Sequence, residues 1–396
     1  MKTLLKSLWA ELGASAPAKN RLLQQRKDAL AAFMACGERI VFPKPKKPRA
    51  SLVIPVYNHP HHTYICLMSL LPIAGPWLEI LVQDDCSTDM TQDLLARFEN
   101  INVGRGAKNL GFLRNVNAAI ARANGRFIIL MNNDSRFVEG SLEAALDRFE
   151  NAKNCGFMGP RIALASGGLQ EAGAVIYDNG ATNGYLRHAA IDDPRALFHR
   201  QVDYCSGVFS IFEKKAFDAL GGFDEAYAPA YYEESDLCMR LQAQGKACLY
   251  NPEILIEHFE FGSAPSKNTR NLIYRHRHIF LERWGKILRR DGHAKPGLFV
   301  TEQAARRLQK HPSRLLVIDK ALALPHEVER HAEGAGTLTV FVVDATQVEL
   351  LPLIRQHGFA HEFAGGSLKS FMRKRKGLFD DIRTSGDKAA RFVARI

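Results

Sequence analysis

Apolar residues recur at helical spacing near the start of the chain and in short runs further on. Before residue 40 the helically spaced apolar positions are Leu4, Leu5, Leu8, Trp9, Leu12, Leu22, Leu23, Leu30 and Phe33. This spacing predicts one or two amphipathic helices. The proline-rich stretch Pro43–Arg49 cannot continue a helix, and it predicts a linker.

Strand and helix patterns alternate after this linker. The predicted strands are Ser51–Tyr57, Leu78–Asp84, a short segment near Ile101 and Arg126–Asn132, and the predicted helices are His61–Leu71, Met90–Glu99 and Leu113–Ala123. Short apolar strands joined through helices predict right-handed crossovers. The expected fold class is therefore α/β, with a mostly parallel, Rossmann-like sheet that helices cover on both faces.

Four regions are expected along the 396 residues. They are a helical basic extension with its linker (1–49), a main α/β domain (50–265), a basic helical segment (266–311) and a small α/β unit (312–396). The last unit is predicted from two strand patterns, RLLVID and TLTVFVVD, around a polar helix.

Positive charge is concentrated outside the main domain. The formal net charge is +11, yet residues 1–49 hold eleven Lys and Arg against three Asp and Glu, and residues 266–290 hold eight against one. The rest of the chain is therefore net acidic. These basic flanks favour contact with an anionic membrane over contact with nucleic acid, because no nucleic-acid-binding signature accompanies them. A merely solvated basic surface is the alternative.

The cysteines and the apolar runs bear on the compartment. The seven cysteines form no CxxC pair and are odd in number, which favours free thiols in a reducing compartment over a zinc site or a disulfide framework. No run approaches the roughly 18 to 20 apolar residues of a membrane span, and Met1–Gly13 lacks the pattern of a signal peptide. We expect a cytoplasmic protein, with peripheral contact at the inner face of the cell membrane.

Polar sequences follow three of the predicted strands, at the sheet edge where such folds bind ligands. Asp134, in the sequence NNDS, is the candidate ligand for a divalent cation, Mn²⁺ or Mg²⁺, with Asn132 and Asn133 in support. Carboxylate and amide oxygens suit such hard ions. The alternative is an aspartate that only caps the turn after the strand.

The sequence DDCSTD ends the preceding strand. One carboxylate of Asp84 and Asp85 is expected to accept a hydrogen bond from a nucleotide base, and the other to cap the following helix. Ser87 and Asp89 have the chemistry of a helix start, and we interpret them as structural.

A second group of carboxylates lies in YYEESDLCMR. Glu233, Glu234 and Asp236 stand at the start of a predicted helix, where negative charge is favourable. Such a carboxylate can take a proton from a reacting hydroxyl, although helix capping explains the same residues. His258, after an apolar strand, is a candidate metal ligand or a structural histidine.

Five segments, in this order, resemble glycosyltransferase family 2, with its GT-A fold, and especially its rhamnosyltransferase-like and O-antigen branches. They are VIPVYNH (53–59), QDDCSTD (83–89), KNLGFLRNVNAAI (108–120), ILMNNDS (129–135) and the long block from Val202 to His258. Together they span about 210 residues. Residues 1–49 and 290–396 fall outside the resemblance.

The resemblance implies a role for each matched residue. It implies a nucleotide pocket lined by Pro55, Tyr57 and Asn58, with Asp84 or Asp85 in contact with the base. It implies a donor site shaped by Asn109, Gly111, Phe112 and Asn115. It also implies a DxD-like metal pair formed by Asn132 and Asp134, with His258 as a further metal ligand. The position of the family's proton-accepting aspartate is Glu234 here, flanked by Glu233 and Asp236. This departure leaves open which of the three acids is the base, because the added methylene moves the carboxylate by about an ångström.

The implied activity is transfer of a sugar from a dTDP- or UDP-linked donor to a glycan or lipid-linked acceptor, with inversion at the anomeric carbon, in cell-surface polysaccharide synthesis. A divalent cation, Mn²⁺ or Mg²⁺, is the implied cofactor. The alternative is a catalytically silent relative that binds a nucleotide sugar or glycan as a scaffold. A nucleotidyltransferase is disfavoured, because VIPVYNHPHH lacks a glycine-rich phosphate loop.

Overall fold

The computed structural model describes residues 16–152, 154–165, 167–193, 196–197, 199–260, 267–290, 313–318, 337–343, 360–364, 367–374 and 379–394. The helix predicted around Leu4–Leu12 lies outside these residues. The helix predicted around Leu22–Phe33 is confirmed as α1, which begins at Ala16 and ends at Cys36.

The remaining elements of the main domain follow the predicted alternation. Its other helices are α2 (Pro60–Leu70), α3 (Thr91–Leu95), α4 (Phe112–Ala121), α5 (Leu142–Asn151), α6 (Lys214–Ala219) and α7 (Glu233–Ala243). Its strands are β1 (Ile40–Val41), β2 (Ala50–Val56), β3 (Leu78–Asp84), β4 (Phe98–Glu99), β5 (Asn102–Arg105), β6 (Phe127–Met131), β7 (Ser135–Glu139), β8 (Cys155–Leu164), β9 (Leu169–Ala172), β10 (Ala174–Ile176), β11 (Thr182–Gly184), β12 (Arg200–Val202), β13 (Phe209–Glu213) and β14 (Ala247–His258).

A ten-stranded sheet organises the main domain, in the order β12-β14-β8-β13-β6-β2-β3-β5, with β7 paired to β14 and β9 to β8. The β6-β2-β3-β5 part is parallel throughout. The expected α/β class and mostly parallel sheet are confirmed. Strand β13 runs antiparallel between β6 and β8, which the sequence patterns did not predict.

Alternate residues of β2 point to opposite faces of the sheet, as the two-residue period of a strand requires. Leu52 and Ile54 pack in one core with residues of α1, α2 and α5, whereas Val53 packs in a second core with residues of α4 and α7. Helices therefore cover both faces, as expected. This arrangement leaves the carboxyl ends of the parallel strands at one edge.

The helix predicted over Met90–Glu99 is shorter than expected. Helix α3 ends at Leu95, and Phe98–Glu99 instead forms β4, which pairs in parallel with Ile40–Val41. Tertiary pairing with a segment about sixty residues earlier overrides the local helical pattern here.

A long helix and a small α/β unit follow the main domain. Helix α8 runs from Lys267 to Arg290. Strands β15 (Ser313–Ile318), β16 (Thr337–Val342), β17 (Ala360–Ala364) and β18 (Asp381–Ser385) form a parallel sheet in the order β17-β16-β15-β18, accompanied by helices α9 (Leu368–Lys374) and α10 (Asp387–Val393). The small C-terminal α/β unit is thus present, while the exact limits of the four predicted regions stay predictions. In the described part of the chain, no helix is both long and apolar enough to cross a membrane.

Candidate functional site

The loops after β2 and β3 are tied together at the carboxyl edge of the sheet. The Asn58 backbone N–H donates to Ser87 Oγ at 2.7 Å, and the Thr88 N–H donates to Asn58 Oδ1 at 2.8 Å. Asp89 accepts hydrogen bonds from the His59 and Thr91 backbones at 2.8 and 3.0 Å. Asp89 therefore serves the structure of both loops.

The backbone of the first loop is unusual. Asn58 and His59 have φ values of 55° and 60°, a region that residues other than glycine occupy rarely. Pro55 is buried within β2, and the side chain of Tyr57 is 47% exposed directly after the strand. Tyr57 and Asn58 therefore border the open edge of the sheet, whereas Pro55 lies inside it.

Asp84 and Asp85 are both buried, and both bind protein groups. Asp84 accepts a hydrogen bond from the Ser87 N–H at 2.8 Å and pairs with Arg105. Asp85 accepts from the N–H groups of Leu110 and Gly111, each at 2.8 Å. Asp84 thus shapes the turn after its own strand, and Asp85 orders the loop before α4.

The predicted donor-site residues 109–115 surround the start of α4. Asn109 Oδ1 accepts from the Gly111 N–H at 3.1 Å, and Phe112 begins the helix. Gly111 has a φ of 82°, and a Cβ there would stand 2.6 Å from Pro229 Cβ, so the turn requires glycine. Asn115 is buried and donates to the Gln83 carbonyl at 2.9 Å, which holds α4 against β3.

Asp134 and His258 face each other across the ends of two strands. Asp134 lies in the turn between β6 and β7, and His258 is the last residue of β14, which pairs with β7. The Asp134 Oδ1 and His258 Nε2 atoms are 3.2 Å apart, and both side chains are buried. Burial acts to raise the pKa of Asp134, but the cationic forms of His258 and His62 together with Arg26 outweigh it, so this pKa lies below its usual value.

The surroundings of this pair suit a divalent cation. Gln170 Oε1 lies 2.7 Å from His258 Nδ1, and this contact orients the ring so that Nε2 faces Asp134. Two atoms that bind one ion at about 2.1 Å lie about 3 Å apart when they are adjacent ligands, close to the observed separation. Asn132 Oδ1, in the same turn as Asp134, is buried without a hydrogen-bond partner, so this oxygen is a candidate third ligand.

Among the described residues no group of three His, Cys, Asp or Glu side chains is arranged to hold a metal. An ion at Asp134 and His258 would therefore take most of its remaining ligands from phosphate oxygens and water, which is usual for Mg²⁺ bound with a nucleotide.

The acidic cluster lies at the start of α7, as predicted. Glu233 is the first residue of this helix and Glu234 the second, and one carboxylate oxygen of each is buried without a hydrogen-bond partner. Burial raises the pKa of Glu233 well above its usual value, and the neighbouring Glu234 adds to the effect. Burial also raises the pKa of Glu234, despite a hydrogen bond from the Gly207 backbone. Both carboxylates are thus stronger bases than exposed glutamates.

The residues before α7 have a strained backbone. Tyr231 and Tyr232 have φ values of 77° and 74°, although neither is glycine. His276 of α8 donates from Nδ1 to the Tyr231 carbonyl at 3.0 Å, and the Tyr232 hydroxyl donates to the Gly180 carbonyl at 2.9 Å. Such conformations persist only when the surrounding structure holds them, and they are enriched at functional sites.

Asp236 has a different environment from Glu233 and Glu234. It is fully buried and accepts hydrogen bonds from Tyr227, Arg240, Arg283 and Trp284, at 3.3, 2.6, 2.9 and 2.8 Å respectively. Four donors surround this carboxylate, which joins α7 to α8. Which of the three acids is the base stays a prediction, and of the three only Glu233 and Glu234 have a buried carboxylate oxygen without a hydrogen-bond partner among the described residues.

The Asp134–His258 pair and the acidic cluster are linked through one segment of the chain. The segment Ser206–Val208 connects them, because the Gly207 backbone bonds Glu234 and the Val208 carbonyl accepts from the Asn132 N–H at 2.9 Å. The Ser206 N–H donates to Glu171 Oε1 at 3.0 Å. Glu171 is buried and close enough to both Glu234 and His258 for each to influence its pKa, which burial raises to about 7.

Sequence reasoning missed Gln170, Glu171 and Arg26. Gln170 bonds His258, Glu171 lies between the two parts of the site, and Arg26 of α1 bonds His62 at 2.9 Å. None of the three belongs to a recognisable motif, and their distances in sequence from the residues that they contact gave no local signal.

The mixed α/β architecture, with its large mostly parallel sheet and covering helices, is the GT-A fold. The structure is similar to that of GalNAc-T7 solved with UDP, GalNAc and Mn²⁺, at 14% identity and a TM-score of 0.50, over 66% of this chain and 54% of that one. This likeness concerns the fold.

Residues 51–221 match the model of glycosyl transferase family 2, and the chain carries a domain of that family. Similar proteins include the putative teichuronic acid biosynthesis glycosyltransferase TuaG of Bacillus subtilis, 32% identical over 28% of this chain and 45% of that protein. They also include the N-acetylglucosaminyl-diphospho-decaprenol L-rhamnosyltransferase of Mycobacterium tuberculosis, 26% identical over 58% of this chain and 83% of that protein. An uncharacterized protein of Sinorhizobium fredii, y4gI, is 24% identical over 58% of this chain, which spans 26% of its length.

Proposed function

We propose that this protein is an inverting, metal-dependent glycosyltransferase that moves a sugar from a dTDP- or UDP-linked donor to a glycan or lipid-linked acceptor. The observation that carries the proposal is the pair formed by Asp134 and His258 beside the acidic residues Glu233 and Glu234 at one sheet edge. The teichuronic acid and rhamnosyltransferase relatives support a role in cell-surface polysaccharide synthesis.

The donor's nucleotide is proposed to bind along the loops after β2 and β3. Tyr57 and Asn58 border the base and ribose, and the ordered loop from Asn109 to Phe112 closes the other side. Asp84 and Asp85 are proposed to keep this pocket in shape through their hydrogen bonds to the backbone of residues 87, 110 and 111, and one of the two carboxylates is proposed to accept a hydrogen bond from a base N–H.

Asp134 and His258, with Asn132 in support, are proposed to hold Mn²⁺ or Mg²⁺ against the donor's diphosphate. When bound, the cation neutralises charge on the diphosphate as it leaves. Gln170 orients the His258 ring through its contact with Nδ1, and Asp134, whose pKa lies below its usual value, is a carboxylate at neutral pH.

Glu234 is proposed as the base, with Glu233 beside it. Its carboxylate takes the proton of the acceptor hydroxyl while the oxygen forms a bond to the anomeric carbon. The bond from that carbon to the phosphate oxygen breaks on the opposite face, and the nucleoside diphosphate departs with the electron pair. One displacement of this kind inverts the configuration.

The test is transfer or donor hydrolysis measured over a library of dTDP- and UDP-sugars with MnCl₂ or MgCl₂. We expect Asp134→Ala to lose more than about 100-fold in kcat, because a lost metal site removes several kcal/mol of charge stabilisation. The exposed Asp147, paired with Arg49 at 2.7 Å, supplies the matched control Asp147→Ala, which is expected to keep wild-type activity. Activity that survives Asp134→Ala contradicts the metal assignment.

A catalytically silent scaffold is the second candidate, motivated by Glu234 at the family's aspartate position. It predicts donor binding without turnover over the whole library. Turnover abolished by Glu234→Gln, with nucleotide binding retained, decides for the enzyme.

A further inference from the structure

Helix α1 lies outside the family domain of residues 51–221, yet its side chains contact the residues on either side of His258. Its Phe33 stacks on Tyr64 of α2, with 4.8 Å between ring centroids, and Leu30 and Phe33 are buried in the core of the main domain. The helix is thus held by apolar contacts along α2, whose first turn lies next to Asn133 through a 2.9 Å hydrogen bond to Thr63.

Arg26 fixes this helix to the strand that carries His258. Its guanidinium is 3% exposed and bonds His62 Nδ1 at 2.9 Å and Glu257 Oε1 at 3.0 Å. Arg136 also binds Glu257, through two hydrogen bonds of 2.8 and 2.7 Å. Glu257 precedes His258 directly, so the anchor is one residue from the proposed metal ligand.

Lys19 lies two helical turns before Arg26 and therefore on the same face of α1. Its ammonium group is 5.0 Å from the centroid of the Phe259 ring and donates to the Glu260 carbonyl. Asp134 is close enough to act on its pKa, which burial lowers overall while Glu260 and Asp134 act to raise it. An ammonium has three donors, and one protein acceptor is found for it among the described residues, so donors remain for a ligand.

The charge balance of the site calls for such a cation. The diphosphate gains negative charge as the bond to the sugar breaks, and Asp134 is itself anionic, so one divalent ion does not neutralise the whole group. Arg26 is already paired with Glu257. Among the described residues, no carboxylate lies within salt-bridge distance of the Lys19 ammonium. Lys19 is therefore the cation of α1 that remains for a ligand at Asp134 and His258.

We propose that Lys19 binds the diphosphate of the donor, through a hydrogen bond to an oxygen of the group held at Asp134 and His258. Helix α1 then contributes a ligand-binding residue to the donor site. This inference rests on the proposed function, because it takes the ligand to be a nucleoside diphosphate.

Calorimetric titration of the full chain with UDP and dTDP, in the presence of MnCl₂, tests it. Lys19→Met is expected to weaken binding of the nucleoside diphosphate by about tenfold, the worth of one charge-assisted hydrogen bond. Uridine and thymidine, which lack phosphate, are expected to bind wild type and variant equally. Lys27→Met is the matched control, because Lys27 is an exposed lysine on the same helix. The titration contains no lipid-linked acceptor, so altered binding of a lipid diphosphate cannot explain a loss of affinity for UDP or dTDP.

Each outcome decides the inference. If the Lys19→Met and Lys27→Met variants bind UDP and dTDP with equal affinity, the inference is overturned. It is also overturned if Lys19→Met loses as much affinity for uridine and thymidine as for UDP and dTDP, because that result indicates a general distortion of the site. Lys19→Arg keeps the charge and is expected to bind within about threefold of wild type; a folded Lys19→Arg variant as weak as Lys19→Met also overturns it. If wild-type protein binds no nucleoside diphosphate at all, the proposed function itself fails, which is a different result.

Discussion

Replacing Asp236 by asparagine is expected to reduce stability and to leave the chemistry of the site in place. The carboxylate is 0% exposed and has ion pairs with Arg240 and Arg283, whose side chains are 14% and 36% exposed. Removing one partner of a buried ion pair costs about 3–5 kcal/mol. Because Arg283 is partly exposed, water partly replaces its lost ion-pair partner. We therefore expect the free energy of unfolding to fall by about 3 kcal/mol, at the lower end of that range.

Thermal unfolding followed by circular dichroism measures this effect. At about 2–4 °C per kcal/mol for domains of this size, the Tm is expected to fall by roughly 6–12 °C. Asp218→Asn is the control, because Asp218 is 51% exposed and pairs with Lys214 on the surface; it is expected to change stability by less than about 0.5 kcal/mol. An Asp236→Asn variant with wild-type Tm and no transferase activity would refute this reasoning and return Asp236 to the candidate bases.

Two further predictions concern buried charge and the basic flank. Burial raises the pKa of Glu171 from 4.5 to about 7, so the folded protein holds this proton more tightly than the unfolded chain does, and stability is lost as pH rises through that interval. In urea unfolding, the free energy of unfolding of Glu171→Gln is therefore expected to rise relative to that of wild type by up to about 3 kcal/mol between pH 5 and pH 8. The exposed control Glu143→Gln is expected to show no such rise. An equal effect of Glu171→Gln at both pH values contradicts the assignment. Lys286→Glu combined with Arg289→Glu on α8 is expected to reduce co-sedimentation with anionic vesicles at about 0.1 M salt, where attraction acts over a Debye length of about 10 Å; wild-type protein that stays in solution under these conditions refutes membrane docking.

The sequence by itself determined the parallel part of the sheet and the residues at its edge. Runs such as LEILVQD are short and rich in apolar residues, which favours a buried strand, and β3 begins and ends where that run does. The carboxyl ends of parallel strands meet at one edge, so the order of strands was enough to bring Tyr57, Asp84 and Asp134 to the same region.

Only the tertiary structure decided how the remaining groups are used. Asp236 and Glu234 are two residues apart and alike in sequence, yet one is surrounded by four donors and the other has an unpartnered oxygen, because helical geometry turns them toward different neighbours. The contacts of Lys19 and Gln170 with the strand end at His258 span 241 and 88 positions of the chain. Local patterns carry no information about such contacts, since they arise from packing between elements that are distant in sequence.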